Sequence, residues 1–419
     1  MAHWFHRNPI KATAPVTFDL RGVTSTGPTR KICSDLRQHR NRLLDILSNP
    51  NENMETVDNV AKEYFSLLQG FLTAVDEKGG ESKLRHIIRF RWTNTLTGNT
   101  PTAQYDAMYE FVSMAVNVAL WYTKHAAKIA AENDEPSMDE AKEVHTCLRK
   151  AAGIFVHLRD KCIAGLIESP EQGTDLDSRV VTAYMHQSTA EAQEVTLARA
   201  VELKHTASLI SALAFETSNM FQSADDSLKG EDERLVTKWR KYLQLKRAFY
   251  MAYAYSYHGE TLLAQDKCGE AIRCLRESVK EYEKAGALAK EYKQAKGPGT
   301  TARPEEHLFF RRLGPIVKRT LEKCERENGF IYHHKVPEEL PDLALKATYG
   351  LASPEEVEFP PPSPAWNPAV YAEFKVENNP PVPEKEKEKG EGKEIPPVKE
   401  EDIKHAGKDP RNNSGCVVS

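Results

Sequence analysis

The chain has 419 residues, of which 40% are hydrophobic, so it is long enough to bury a large core and to hold one to three domains. Its 57 Lys and Arg nearly balance 61 Asp and Glu, and a net charge of −4 argues against a nucleic-acid-binding protein. Seven scattered cysteines without short paired spacing indicate reduced cytosolic thiols, not disulfides or a zinc site. The first residues lack the apolar core of a signal peptide, and no apolar run approaches the roughly eighteen residues of a membrane span.

The N-terminal part of the chain predicts extended segments and two helices. Residues 1–29 mix Pro and Gly with β-branched residues, and residues 16–18 form the best candidate strand. Two segments of helical periodicity follow. Residues 87–93 are again rich in strand formers and end at a turn signal, Gly-Asn-Thr-Pro at 98–101. We therefore expect a small sheet near the N-terminus.

Long helices are predicted for the middle of the chain. Residues 103–131 read as one helix, and Ser137 begins another, because Glu140 three residues later completes a capping box. A further helical segment covers residues 177–224, with a kink near His205. This pattern predicts a mainly α protein.

The strongest pattern is a helical hairpin in residues 233–294. Large apolar residues recur there at three- and four-residue steps on both helices, and the short polar break between them makes the helices antiparallel neighbours. Gly259, Ala271 and Leu275 fall where a tetratricopeptide hairpin has its Gly, its Ala and its large apolar residue. We find one good copy of this pattern, so we expect an irregular helical solenoid with a tetratricopeptide-like core and not a regular array.

The C-terminal part changes in composition. Residues 356–415 are rich in Pro, Glu and Lys, and such a chain buries too little surface to order itself. We therefore predict a folded domain in residues 1–355 and a largely disordered, nearly neutral tether after it. The aromatic residues at the start of the tether, between residues 359 and 374, would allow that part to lie along the helical body.

The last four residues, Cys416-Val417-Val418-Ser419, have the form of a C-a-a-X prenylation motif. The terminal Ser favours a farnesyl group on Cys416, and a tether would let a transferase reach it. The alternative is a cysteine that stands four residues from the end by accident. One lipid chain gives only marginal, reversible attachment. We therefore expect a peripheral membrane protein that also occurs in the cytoplasm, with this covalent lipid and no other cofactor.

Four motifs occur in the order and at the distances found in the BRO domain. They are Ala-Ala-Gly-Ile-Phe at 151–155, Ala-x-Ala-Gln-Glu at 190–194, the hairpin at 233–294 and Gly-Phe-Ile-Tyr-His-x-x-Val-Pro at 329–337. The chain thus resembles the family that includes Alix, HD-PTP and the rhophilins over residues 1 to about 350. The resemblance implies a curved, boomerang-shaped helical solenoid with a small N-terminal sheet. It also implies a non-enzymatic domain that binds the C-terminal amphipathic helix of an ESCRT-III subunit, a charged multivesicular body protein of the fourth class.

The resemblance also implies which residues contact that helix. Leu209 and Leu213 stand at the apolar pair of the family. Lys142 stands at a basic position on the groove edge, and Tyr349 at an apolar position near the end of the domain. Thr196 departs from the pattern, since Alix-like members have a large aromatic residue there, which predicts weaker binding or a greater dependence on Tyr349. From periodicity alone, both leucines would be core residues and Lys142 a solvated lysine.

Other features leave alternatives open. Tyr332 stands at a family position discussed as a phosphorylation site, although an apolar-flanked tyrosine is also typical of packing. His333 and His334 have no partner ligand at suitable spacing, so we expect no metal site. We find no zincin helix, phosphate loop or nucleophile elbow, so we expect no enzyme.

The alternative function is a prenylated scaffold for another signalling partner such as a small GTPase, and buried leucines at 209 and 213 would favour it. We expect a monomer that serves a membrane such as the endosome or the nuclear envelope.

Overall fold

The computed structural model describes residues 4–132, 136–343, 347, 349–376 and 393–401. In this part, the helices are α1 (Gly27–Leu47), α2 (Met54–Leu72), α3 (Ala107–Glu132), α4 (Met138–His157), α5 (Ser178–Glu202), α6 (Ala207–Ser227), α7 (Glu233–Leu263), α8 (Cys268–Gln294), α9 (Leu308–Glu327) and α10 (Pro368–Ala372). The strands are β1 (Phe90–Asn94) and β2 (Gly98–Gln104). Each helix from α3 to α9 packs against the next one in sequence, which confirms the mainly helical solenoid. None of the described helices is both long and apolar enough to cross a bilayer.

The small sheet forms, and its first strand, β1, overlaps the segment predicted at 87–93, whereas the segment predicted at 16–18 is not a strand. β1 and β2 pair antiparallel, so the predicted turn at 98–101 is the start of β2. The proline in this segment is tolerated because each strand of a two-stranded sheet is an edge strand. The expectation of a strand at 16–18 is wrong: Phe18 has a φ of 51°, which is outside the extended region. Its ring packs edge-on against Phe71 instead, and a contact in the core replaces strand pairing.

The predicted kinked helix at 177–224 is in fact two helices. α5 ends at Glu202 and α6 begins at Ala207. Lys204, between them, has a φ of 54°, which a continuing helix does not allow. Thr206 then caps α6, because its side chain accepts a hydrogen bond from the backbone N–H of Leu209. The chain reverses here, and the first turn of α6 lies beside α5.

The hairpin of α7 and α8 confirms the tetratricopeptide-like core. A Cβ added at Gly259 would lie 2.8 Å from Cγ of Leu275 and 3.4 Å from the carbonyl oxygen of Ala271. Real Cβ atoms essentially never approach a neighbour as closely as the first distance, so only glycine fits at this crossing. The three residues that the sequence pattern identified therefore meet where the helices are closest.

Two buried ion pairs connect α5 to the N-terminal segment and to α7. Arg7 lies 2.7 Å from Glu191, and Lys246 on α7 lies 2.5 Å from Glu194. The Lys246 ammonium also lies 3.8 Å from the ring centroid of Trp4, a cation–π contact. Burial raises the pKa of Glu194 to about 7, although the nearby Lys246 acts in the opposite direction. The Ala-x-Ala-Gln-Glu motif thus supplies charged groups that hold the core together.

After α9, residues 349–376 run back over the helical body, and we refer to them as the strap. The Trp366 indole donates a 2.8 Å hydrogen bond to the carbonyl of Leu67 and lies on Gly70, where any Cβ would collide with it. Glu355 donates its N–H to the carbonyl of Arg149. The part of the chain that packs on the helical body therefore extends past residue 355, the predicted end of the domain. The remaining tether residues 377–392 and 402–419, with Cys416, lie outside the described residues.

Candidate partner-binding groove

A groove opens between α4, α5, the start of α6 and the strap. Its volume is about 390 Å³. The groove exists because the break between α5 and α6 brings the first turns of α6 beside the end of α5, while the strap closes the fourth side. All five residues that the family resemblance implies line it: Lys142, Thr196, Leu209, Leu213 and Tyr349.

The two leucines lie at different depths. Because they are four residues apart on α6, both face the groove. Leu209, in the first turn, is half-buried at the mouth, whereas Leu213 is only 2% exposed and forms the floor. The interpretation of both as ordinary core residues therefore fails for Leu209. Leu213 combines the two roles, because it packs inward and still lines the cavity.

The strap forms a fixed wall of the groove. Gln193 on α5 donates a 3.0 Å hydrogen bond to the carbonyl of Gly350 and accepts one of 2.5 Å from the N–H of Ala352. This two-point contact holds an otherwise irregular segment in place. Gly350 has a φ of +77°, and a Cβ there would lie 3.5 Å from Leu213. Tyr349 is 65% exposed beside it, so its ring is presented at the mouth.

Gln193 and Gly350 are functional candidates that sequence reasoning did not single out. Gln193 belongs to a recognised motif, but no spacing rule predicts a contact 157 residues away. The glycine after Tyr349 indicates a special backbone conformation at residue 350. The sequence does not show, however, that this turn forms one side of a groove.

Thr196 lies between α4 and the strap. Its hydroxyl is 3.5 Å from Nε2 of His145, and its methyl would lie 3.9 Å from a Cβ at Gly350. A threonine fills less volume than an aromatic ring, so the groove is deeper at this point than an aromatic residue would allow. Burial, followed by the charge of Arg149, lowers the pKa of His145, which keeps that ring neutral at pH 7.

Basic side chains lie along the rim. Lys142 is largely exposed, and its ammonium is 3.6 Å from Asp139 on the same helix. Arg199 pairs with Glu202 at 2.8 Å. Exposed pairs of this kind contribute about 0–1 kcal/mol, so a carboxylate on a ligand would exchange for the internal one at little cost. The rim therefore suits an acidic partner above an apolar floor.

The other candidate residues lie elsewhere or outside the described residues. Tyr332 does not line the groove; it ends a π-helical turn, Asn328–Tyr332, after α9, where it is half-buried with its ring 5.7 Å from that of His334. Its phosphorylation stays a prediction. Across the described ranges, no group of three His, Cys, Asp or Glu is arranged to hold a metal ion. Cys416 is not among the described residues, so its lipidation also stays a prediction.

Comparison with known proteins identifies close relatives along the whole chain. The family model described as BRO1-like domain matches residues 25–370. The BRO1 domain-containing protein BROX of Danio rerio is 55% identical over 418 residues and all of both chains. The human BROX protein is 56% identical over 380 residues, which are 91% of this chain and 92% of the relative. A BROX homolog of Caenorhabditis elegans is 43% identical, again over all of both chains.

Solved structures share the fold. The BRO1 domain in an ALIX BRO1 CHMP4C complex superposes with a TM-score of 0.67 at 20% identity and covers 85% of this chain and 96% of that one. A Bro1 domain solved to explain endosomal targeting gives a TM-score of 0.63 at 20% identity, with 88% and 96% covered. The fold is therefore the mainly helical BRO1-like fold. With the family match and the relatives along its full length, the chain belongs to the BRO1-like domain family.

Proposed function

We propose that this chain is a non-catalytic adaptor whose groove binds the C-terminal amphipathic helix of an ESCRT-III subunit related to CHMP4. The observation that carries the proposal is one groove lined by Lys142, Thr196, Leu209, Leu213 and Tyr349. The structural neighbour from ALIX, in which a BRO1 domain is bound to CHMP4C, supports the choice of partner. The buried Leu213 would by itself fit the alternative scaffold for a small GTPase, but Leu213 also lines the groove together with the half-buried Leu209, which favours the helix-binding adaptor.

The groove chemistry fits an amphipathic helix with acidic residues. Each large apolar side chain that the helix buries on Leu209, Leu213 or Tyr349 contributes about 1.5–3 kcal/mol. Acidic residues on the same helix would meet Lys142 and Arg199 at the rim, which fixes its direction. After the cost of ordering the peptide, a micromolar affinity, about −8 kcal/mol, is expected.

The test of the groove is Leu209→Asp. This residue is half-buried, so the substitution places a charge beneath the ligand helix without an unpaired charge in the core. We expect the affinity for a CHMP4 C-terminal peptide, measured by fluorescence anisotropy, to fall by at least about thirtyfold. Leu44→Asp, at a half-buried leucine on α1, is the matched control. Parental affinity in Leu209→Asp would refute the site.

We further propose that a farnesyl group on Cys416 links the adaptor to a membrane. The C-a-a-X sequence at 416–419 supports this, because it has two aliphatic residues and a terminal Ser. The protein would then exchange between the cytoplasm and endosomal or nuclear-envelope membranes. It would stay where ESCRT-III has polymerised.

A further inference from the structure

The turn after α9 presents apolar side chains to solvent in a fixed conformation. Phe330 is 81% exposed, the highest value for a large apolar residue in the described part of the chain, and Ile331 is 67% exposed. Asn328 closes this turn: its side chain donates to the carbonyl of His334 and accepts from the N–H of the same residue, both at 2.9 Å. The two apolar side chains are therefore held outside by a built turn and not by a loose end.

The return segment of the turn is equally fixed. The carbonyl of Lys335 packs so closely on Gly269, at the start of α8, that any Cβ there would collide with it. Tyr332 is half-buried beneath the turn, and the N–H of His333 donates a 2.7 Å hydrogen bond to the carbonyl of Asn328. Because the turn is already ordered, moving its tip from water into an apolar environment costs little conformational entropy.

The exposed face of α9, which leads into this turn, carries a row of basic side chains. Steps of three and four residues place four exposed side chains on one line of α9, and the exposed Phe330 follows in the π-helical turn after the helix. We call these five residues the α9 stripe: Ile316, Arg319, Lys323, Arg326 and Phe330. On α9, the ten residue steps from Ile316 to Arg326 extend about 15 Å at 1.5 Å per residue, and Phe330 lies beyond them. The two ends of the stripe are apolar, and its centre carries three positive charges.

Most of this charge is available to a ligand. Lys323 lies 3.7 Å from Glu327, whereas Arg319 and Arg326 have no ion-pair partner among the described residues. Residues 308–335 hold seven Lys or Arg against three Glu, in a chain whose net charge is −4. Residues 308–335 are therefore basic, whereas the chain as a whole is slightly acidic.

We propose that the α9 stripe and the turn at 330–331 form a docking surface for an anionic lipid bilayer. A helix with a basic face and exposed aromatic and aliphatic residues lies in the plane of the interface, where the apolar groups enter the acyl boundary and the cations meet phosphates. A partner protein would have to supply a pocket for the protruding Phe330, whereas a bilayer accepts it without one. This surface is independent of the groove and of a lipid on Cys416.

The test uses the full chain with Cys416→Ser, so that no prenyl group contributes. We expect the protein to co-sediment with vesicles of phosphatidylcholine containing about one third phosphatidylserine, and much less with phosphatidylcholine alone. Arg319→Glu with Arg326→Glu should lower the partition constant at least tenfold, since each basic residue contributes about fivefold. Phe330→Ser with Ile331→Ser should lower it to a similar extent.

Matched variants separate this surface from net charge and from exposed apolar area in general. Lys62→Glu with Lys290→Glu makes the same charge change at exposed positions of α2 and α8, and Ile167→Ser removes an isolated exposed isoleucine. These controls should bind vesicles like the parent, and all variants should keep the parental affinity for the CHMP4 peptide. Equal partitioning onto neutral and anionic vesicles, or stripe variants that bind as the parent does, would overturn the proposal.

Discussion

At the scale of single residues, His6 connects the N-terminal segment to the end of α8. Its Nδ1 lies 3.1 Å from the Tyr292 hydroxyl and 3.0 Å from the carbonyl of Thr300, and its Nε2 lies 3.0 Å from Asn8. Burial, followed by the charge of Lys238, lowers its pKa to about 3. The imidazole is therefore neutral in the folded protein.

This residue predicts a pH dependence of stability. The pKa of His6 in the folded protein lies below its ordinary value of 6.5, so the unfolded chain binds the proton first as the pH falls. The stabilising contribution of neutral His6 is complete above pH 6.5 and is lost from there towards pH 3. The slope is at most about 1.4 kcal/mol per pH unit for one group. Urea unfolding across this range should give a shallower decline for His6→Gln than for the parent.

The control for this prediction is His86→Gln, at an exposed histidine of the same protein. That variant should keep the parental pH profile. A parental slope in His6→Gln would show that other groups cause the decline.

The sequence predicted which residues line the groove, but not how deeply each one is buried. Periodicity on one face identified Leu209 and Leu213 as apolar, and only similarity to a family suggested a surface role. Their different depths depend on Gly350, which lies over Leu213. This glycine belongs to the strap, which is distant from α6 in sequence. Local sequence patterns around Leu209 and Leu213 therefore cannot predict how deeply each leucine is buried. Tertiary contacts decide which apolar residues remain open.

At the scale of elements, long periodic helices were predicted well, and irregular segments were not. The break between α5 and α6 was predicted only as a kink, because apolar residues continue at helical spacing through both helices. The strand expected at 16–18 fails because Phe18 gains more from burial against the core than from pairing. The α7–α8 hairpin was predictable since its small residues must lie where two backbones meet.

The strap is an element whose stability can be tested. Its Trp366 is 5% exposed and packs edge-on against Phe71. Trp366→Ala should lower the free energy of unfolding by about 3–5 kcal/mol, the usual cost of removing a buried large aromatic side chain. It should also accelerate limited proteolysis within residues 349–376, because the strap would open locally.

Phe330→Ala is the matched control for the strap, since it truncates an aromatic residue that is already exposed. It should leave both the unfolding free energy and the cleavage pattern unchanged. If Trp366→Ala behaved in the same way, the strap would not be packed in solution as described.

At the scale of the whole molecule, three weak contacts would act together. The proposed groove site would bind with micromolar affinity, and the α9 stripe would add an attraction to the membrane surface. The proposed farnesyl group would add a partition constant on the order of 10⁴ M⁻¹, the value for a comparable single chain. Contacts on one molecule raise the effective concentration of each other, so the combined affinity exceeds each one by about 10²–10⁴. Attachment would therefore be stable only where a membrane carries polymerised ESCRT-III.

The lipid is the contact whose removal gives the sharpest prediction. Cys416→Ser removes the thiol that a prenyltransferase needs, so the protein should shift from the membrane pellet to the cytosol in cell fractionation, without losing affinity for the CHMP4 peptide in solution. Ser419→Leu is the matched control: it changes the last position to one that favours geranylgeranyl, and membrane attachment should persist. A Cys416→Ser protein that pelleted as well as the parent would show that the groove and the α9 stripe suffice, and that the cysteine is not the anchor.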